Sequence, residues 1–92
     1  MNEASAHLLI TGRVQGVFYR AFTAETAQKS GLKGWVRNIS RGRVEAMLEG
    51  PRRDLEKALR QLQEGPPASR VECIDVQWQE PTGEYDDFII RY

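Results

Sequence analysis

The sequence predicts an α+β fold in which two helices cover one face of a four- or five-stranded antiparallel sheet. Three observations carry that prediction. Short segments rich in branched apolar side chains occupy 7–14, 33–38, 43–49, 70–79 and 87–92, all of strand length. Two further segments, 19–30 and 51–64, repeat their less polar positions at helical spacing. Turn residues separate the segments, so the order reads strand, helix, strand, strand, helix, strand, with an extra strand at the end.

Each element has a local reason. The first strand, 7–14, carries Leu8, Leu9, Ile10 and Val14 and runs into a Gln15-Gly16 turn signal. In the first helix Tyr19, Phe22, Thr23, Thr26 and Ala27 fall on one stripe, and Gly31 just past Ser30 supplies a stop, because glycine adopts the left-handed conformation that ends helices. Strands 33–38 and 43–49 flank Ser40-Arg41-Gly42, a tight turn, and form a hairpin in which Val44, Ala46 and Leu48 alternate with Arg43, Glu45 and Glu49. Alternation assigns those charges to solvent. Gly50-Pro51 opens the second helix, since proline is favoured at the first helical position, and Leu55, Ala58, Leu59 and Leu62 follow the i, i+3, i+4, i+7 pattern. Gly65-Pro66-Pro67 ends it. Strand 70–79 places Ile74, Val76 and Trp78 on one face, and 87–92 follows a turn region at 81–84. The order βαββαβ plus one strand is the split βαβ, or ferredoxin-like, arrangement.

Ninety-two residues leave room for one domain, 1–92, and one modest core, so any chemistry belongs in a shallow site. Thirteen Lys plus Arg balance thirteen Asp plus Glu, without the positive excess usual in nucleic-acid binders. No apolar run approaches the roughly 20 residues of a membrane helix, and the start Met1-Asn2-Glu3 lacks the features of a secretion signal, so a cytoplasmic protein is expected. A single cysteine, Cys73, excludes an internal disulfide, and with only His7 beside it no structural zinc site can be assembled. Cys73 is expected to be a small core or half-buried side chain. Aromatic residues, Trp35 and Trp78 included, are read as core-packing or edge groups rather than base-stacking ones, because no RNA-binding run accompanies them.

Two segments carry candidate chemistry. Gly12-Arg13-Val14-Gln15-Gly16-Val17-Phe18-Tyr19-Arg20 joins a strand to a helix N-terminus, where unpaired amides and the helix dipole favour an anion. Gly16 permits a close backbone approach, and the Arg20 guanidinium matches two phosphate oxygens. The run is not a Walker loop, since GxxxxGK[ST] is absent. The second segment ends in Asn38. A βαβ crossover makes strands 1 and 2 parallel, which brings Asn38 to the edge that carries residues 15–20. Its carboxamide suits holding a water against a bound phosphoryl group without a titrating base. The alternative at this point is a turn-forming Asn ahead of a hairpin.

The 12–20 run, followed by Gly34-Trp35-Val36-Arg37-Asn38 and Gly42-Arg43-Val44-Glu45, closely resembles acylphosphatase, and the likeness continues through Gly50-Pro51 to Phe88-Ile89-Ile90-Arg91-Tyr92. The resemblance implies hydrolysis of acyl phosphates to a carboxylate and inorganic phosphate. It implies that Arg20 is the phosphate-binding arginine, Asn38 the water-orienting asparagine, and Gln15, Gly16, Val17, Phe18, Tyr19 and Arg20 the phosphate loop. No metal, cofactor or covalent intermediate is expected, and the partners are small molecules, with no nucleic acid or membrane. A monomer is the default. Two positions depart from the commonest family pattern: Arg41, where Asp often precedes the hairpin glycine, and Tyr19, where Phe is frequent. The runner-up reading is a non-catalytic module of the same fold that grips a phosphate or a partner.

Overall fold

The computed structural model describes residues 3–13, 19–40 and 42–91. It runs β1 (Glu3–Arg13), α1 (Tyr19–Lys29), β2 (Lys33–Ser40), β3 (Arg43–Pro51), α2 (Arg52–Glu64), β4 (Arg70–Gln79) and β5 (Phe88–Ile90). The sheet order is β4-β1-β3-β2-β5, and two helices pack on it in a ferredoxin-like arrangement. Among β4, β1, β3 and β2 each neighbouring pair is antiparallel. The short edge strand β5 lies parallel to β2, because the connection after β4 crosses the end of the sheet before β5 begins.

The elements differ from expectation mainly at their ends. β1 begins four residues early, since Glu3 to Ala6 pair with β3 on one side and Ser5 and Ala6 with β4 on the other, and this double pairing overrides their weak strand propensity. Pro51 stands just before α2 rather than inside it. At φ −59°, ψ 134° it stays extended and closes β3 opposite Glu3. Gly31 (φ 69°) and Gly65 (φ 70°) do end the two helices.

The core lies between helices and sheet. Leu8, Ile10, Val36, Val44, Ala46 and Leu48 project from the strands onto Tyr19, Ala24 and Ala27 of α1 and Leu55, Ala58 and Leu62 of α2. α1 covers β2 and β5, whereas α2 covers β1, β3 and β4. At roughly 2 kcal/mol for each fully buried Leu, Ile or Val, this layer is the principal favourable contribution to folding.

The glutamates of β3 are not solvent-facing, contrary to the alternation reading. Glu49 is only 7% exposed. The connection from β4 to β5 crosses beneath it, and its carboxylate accepts from the Thr82 amide (2.9 Å), the Thr82 hydroxyl (2.8 Å) and the Gly83 amide (3.2 Å). Glu45 accepts from His7 Nε2 and Arg37 Nε, each at 2.7 Å, on the sheet face opposite the helices. Burial alone would raise both carboxyls, but these hydrogen bonds and charges outweigh it and hold each below the ordinary glutamate value of 4.5. Folded protein therefore binds protons more weakly at these sites than unfolded chain does. The stability they contribute is present above that value and is lost as pH falls through the lower folded values. The expected result is a urea midpoint that declines below about pH 4.5, with a shallower decline in Glu49→Gln; equal acid slopes in the two proteins would exclude Glu49 as a source.

One other expectation changes. Cys73 is exposed, not in the core, because it shares the open face of edge strand β4 and stands opposite Thr11. Trp78 remains 37% exposed at the far corner of the sheet, with the Arg52 guanidinium 3.8 Å over its ring. Trp35 is buried on the open face, where Arg91 and Arg37 lie 4.7 and 5.5 Å from its ring centroid. These arrangements are cation–π contacts that complete packing.

Candidate active site

β1 and β2 each run antiparallel to β3, so they are parallel to one another and end at one edge of the sheet. The register makes this concrete: Ile10 and Asn38 both stand opposite Val44, on either side of β3. α1 returns from the end of β1 and packs over β2, which puts its N-terminus at that same edge. The positive end of its dipole thus faces the region where β2 finishes.

The chain is specially shaped where it leaves β1. Gly12 has φ 145°, and a Cβ there would lie 2.1 Å from the Arg70 carbonyl oxygen, so only glycine fits. Its amide donates to the Gly42 carbonyl at 2.9 Å, tying the exit of β1 to the hairpin turn. The β1–β4 register slips between Thr11 and Gly12, and the β2–β3 register slips between Asn38 and Ser40. Two bulges at one edge re-aim both strands there.

Arg20 lies in the first turn of α1 and is half-buried. Asn38 is exposed near the end of β2 and shares the alternation of Gly34 and Val36, the face under α1. The fold therefore brings the elements bearing Arg20 and Asn38 to one edge. Gln15, Gly16, Val17 and Phe18 lie outside the described residues, as does Arg41. Tyr19 turns inward: it is 1% exposed, and its hydroxyl donates to the Leu62 carbonyl at 2.7 Å. This bond satisfies one of the carbonyls left over at the C-terminal end of α2, and burial pushes the phenol's pKa up. The hydroxyl added by this departure from the usual pattern thus joins the two helices beside the site.

The same edge gathers positive charge. Arg13 stands directly opposite Arg70, and Arg43 opposite Thr11, so three arginines lie in register near the end of β1 in a chain of zero net charge. Among the described residues no group of three or more His, Cys, Asp or Glu side chains is placed to hold a metal ion, and no helix is long and apolar enough to cross a membrane. Local sequence did not reveal the requirement for Gly12 or the convergence of His7 and Arg37 on Glu45. The hairpin register held a signal for part of this, because it opposes Arg37 to Glu45; His7 arrives from a strand distant in sequence.

Comparison with known proteins agrees with this layout. The acylphosphatase family model matches residues 6–90. An acylphosphatase of Pyrobaculum aerophilum is 54% identical over 91 residues, covering 98% of this chain and 96% of that protein. The crystal structure of acylphosphatase from Bacillus subtilis superposes with a TM-score of 0.93 at 36% identity, covering 97% of this chain and 99% of that one. An acylphosphatase structure from Coxiella burnetii gives 0.85 at 38% identity, with 98% and 94% covered. A domain of two helices on a five-stranded sheet is thus a recurring type. The chain belongs to the acylphosphatase family.

Proposed function

We propose that the protein hydrolyses the carboxyl-phosphate bond of acyl phosphates, releasing a carboxylate and inorganic phosphate. The observation that carries this reading is the placement of Arg20, in the first turn of α1, at the sheet edge where β2 delivers Asn38, within a chain of this family. The phosphoryl group binds to Arg20 and to the amides of residues 15–20. Asn38 holds a water in line with the carboxylate leaving group. As the water attacks phosphorus the P–O bond to the acyl carbon's oxygen breaks, and a phosphate oxygen accepts the water's proton. Acyl phosphates have a good leaving group, so positioning and charge stabilisation suffice without a general base, a metal or a cofactor. In this reading one chain, residues 1–92, is the working unit, a monomer of the cytoplasm acting on small molecules.

The direct test is hydrolysis of benzoyl phosphate by the purified protein with and without EDTA. Turnover is expected, unchanged by the chelator. A folded protein that is stabilised against thermal unfolding by inorganic phosphate but does not turn over would overturn the reading in favour of an anion-binding module. Turnover abolished by EDTA and restored by a divalent cation would overturn the metal-free mechanism alone.

A further inference from the structure

We propose that Glu45 is a positioning residue for Asn38, acting through Arg37; the inference rests on the role given to Asn38 above. β2 parts from its outer neighbour before it reaches Asn38. β5 pairs with Gly34, Trp35 and Val36, and the Arg91 amide donates to the Val36 carbonyl at 2.8 Å. From Arg37 onward, among the described residues, β3 alone pairs with β2, and that ladder slips at Ile39. Residues 37–40 are all exposed. A strand end paired on one side and interrupted by a bulge opens more readily than one paired on both.

Glu45 closes that weakness. It stands directly opposite Arg37, the residue before Asn38. Its Oε1 accepts from Arg37 Nε at 2.7 Å, and its Oε2 accepts from His7 Nε2 of β1 at 2.7 Å. One carboxylate therefore ties β1, β3 and β2 together one residue short of the candidate water-holding amide. The Glu45 side chain is only 17% exposed, so water competes less for these charge-assisted bonds than at an open surface pair. Arg37 is further steadied against the Trp35 ring. Successive strand residues point to opposite faces, so anchoring Arg37 on the open face fixes the backbone that aims Asn38 from the other. An amide that must align a water for in-line attack tolerates little displacement, since a shift near 1 Å can cost on the order of a hundredfold in rate.

A kinetic cycle separates positioning from mere stability. Wild type, Glu45→Ala, Asn38→Ala and the double variant are assayed on benzoyl phosphate, each checked for cooperative thermal unfolding. Glu45→Ala is expected to lower kcat roughly tenfold while leaving inhibition by inorganic phosphate within about twofold, and to have no further effect once Asn38 is Ala. Glu45→Gln, which keeps an oxygen for Arg37, recovers most of kcat. Wild-type kcat in folded Glu45→Ala, or the same tenfold loss in the Asn38→Ala background, would overturn the inference. If Glu45→Ala does not fold, Arg37→Ala at the exposed end of the pair carries the same cycle. An Asn38→Ala enzyme of wild-type kcat would overturn the role of Asn38 itself and this inference with it; a slow Asn38→Ala with additive Glu45→Ala overturns only the coupling.

Discussion

Arg20→Ala is expected to lower kcat/KM for an acyl phosphate by about 10³-fold, the scale of guanidinium charge stabilisation in phosphoryl transfer. Arg20 sits where the first turn of α1 already favours an anion, and its fork can hold two phosphate oxygens at once. The loss should appear in binding as well as in rate: inorganic phosphate, a product that carries the same oxygens, should no longer inhibit at concentrations that inhibit the wild type. Arg20→Lys keeps the charge but not the fork and should fall between the two. Because Arg20 is half-buried, each variant is compared by thermal unfolding first. A folded Arg20→Ala with wild-type kcat/KM and unaltered phosphate inhibition would remove Arg20 from the site.

Asn38→Ala is expected to behave differently. An amide that holds the attacking water contributes little to binding the phosphoryl group, so kcat should fall by about 10²-fold while KM and phosphate inhibition stay near wild type. The side chain is exposed, and removing it should change stability by no more than about 0.5 kcal/mol. A rise in KM at constant kcat would assign Asn38 to substrate binding rather than to the water. Arg20 and Asn38 thus carry separate kinetic signatures, and a single assay on the two variants distinguishes the phosphate grip from the nucleophile's alignment.

The candidate site could be proposed from the sequence because its parts are local. Arg20 follows a strand-to-helix glycine run, Asn38 ends a strand, and the βαβ crossover rule alone brings the two strand ends to one edge. The helices were legible because Leu55, Ala58 and Leu62 repeat at the helical period, and the structure buries all three. Glu45 and Glu49 were not legible. Alternation places both on the face of β3 opposite the helices, and a half-exposed strand usually gives that face to water. Thr82 and Gly83, more than thirty residues on, cover Glu49, and His7, from a strand on the other side of β3, reaches Glu45. Nothing near either glutamate in sequence announces those partners. The early start of β1 was hidden for a related reason: Ala4, Ser5 and Ala6 lack the branching that favours strands, and only their pairing with distant residues makes them one.

By itself the sequence determined the number and order of elements and the stripes that form the core, because these are written in spacing over a few neighbouring positions, and its resemblance to a known family pointed to the family and to the two residues on which the proposed chemistry turns. Tertiary structure alone decided which charges are buried, where the strands slip register and what steadies the end of β2. Those properties depend on contacts between segments far apart in the chain, whose energies exist only once the strands have been brought together.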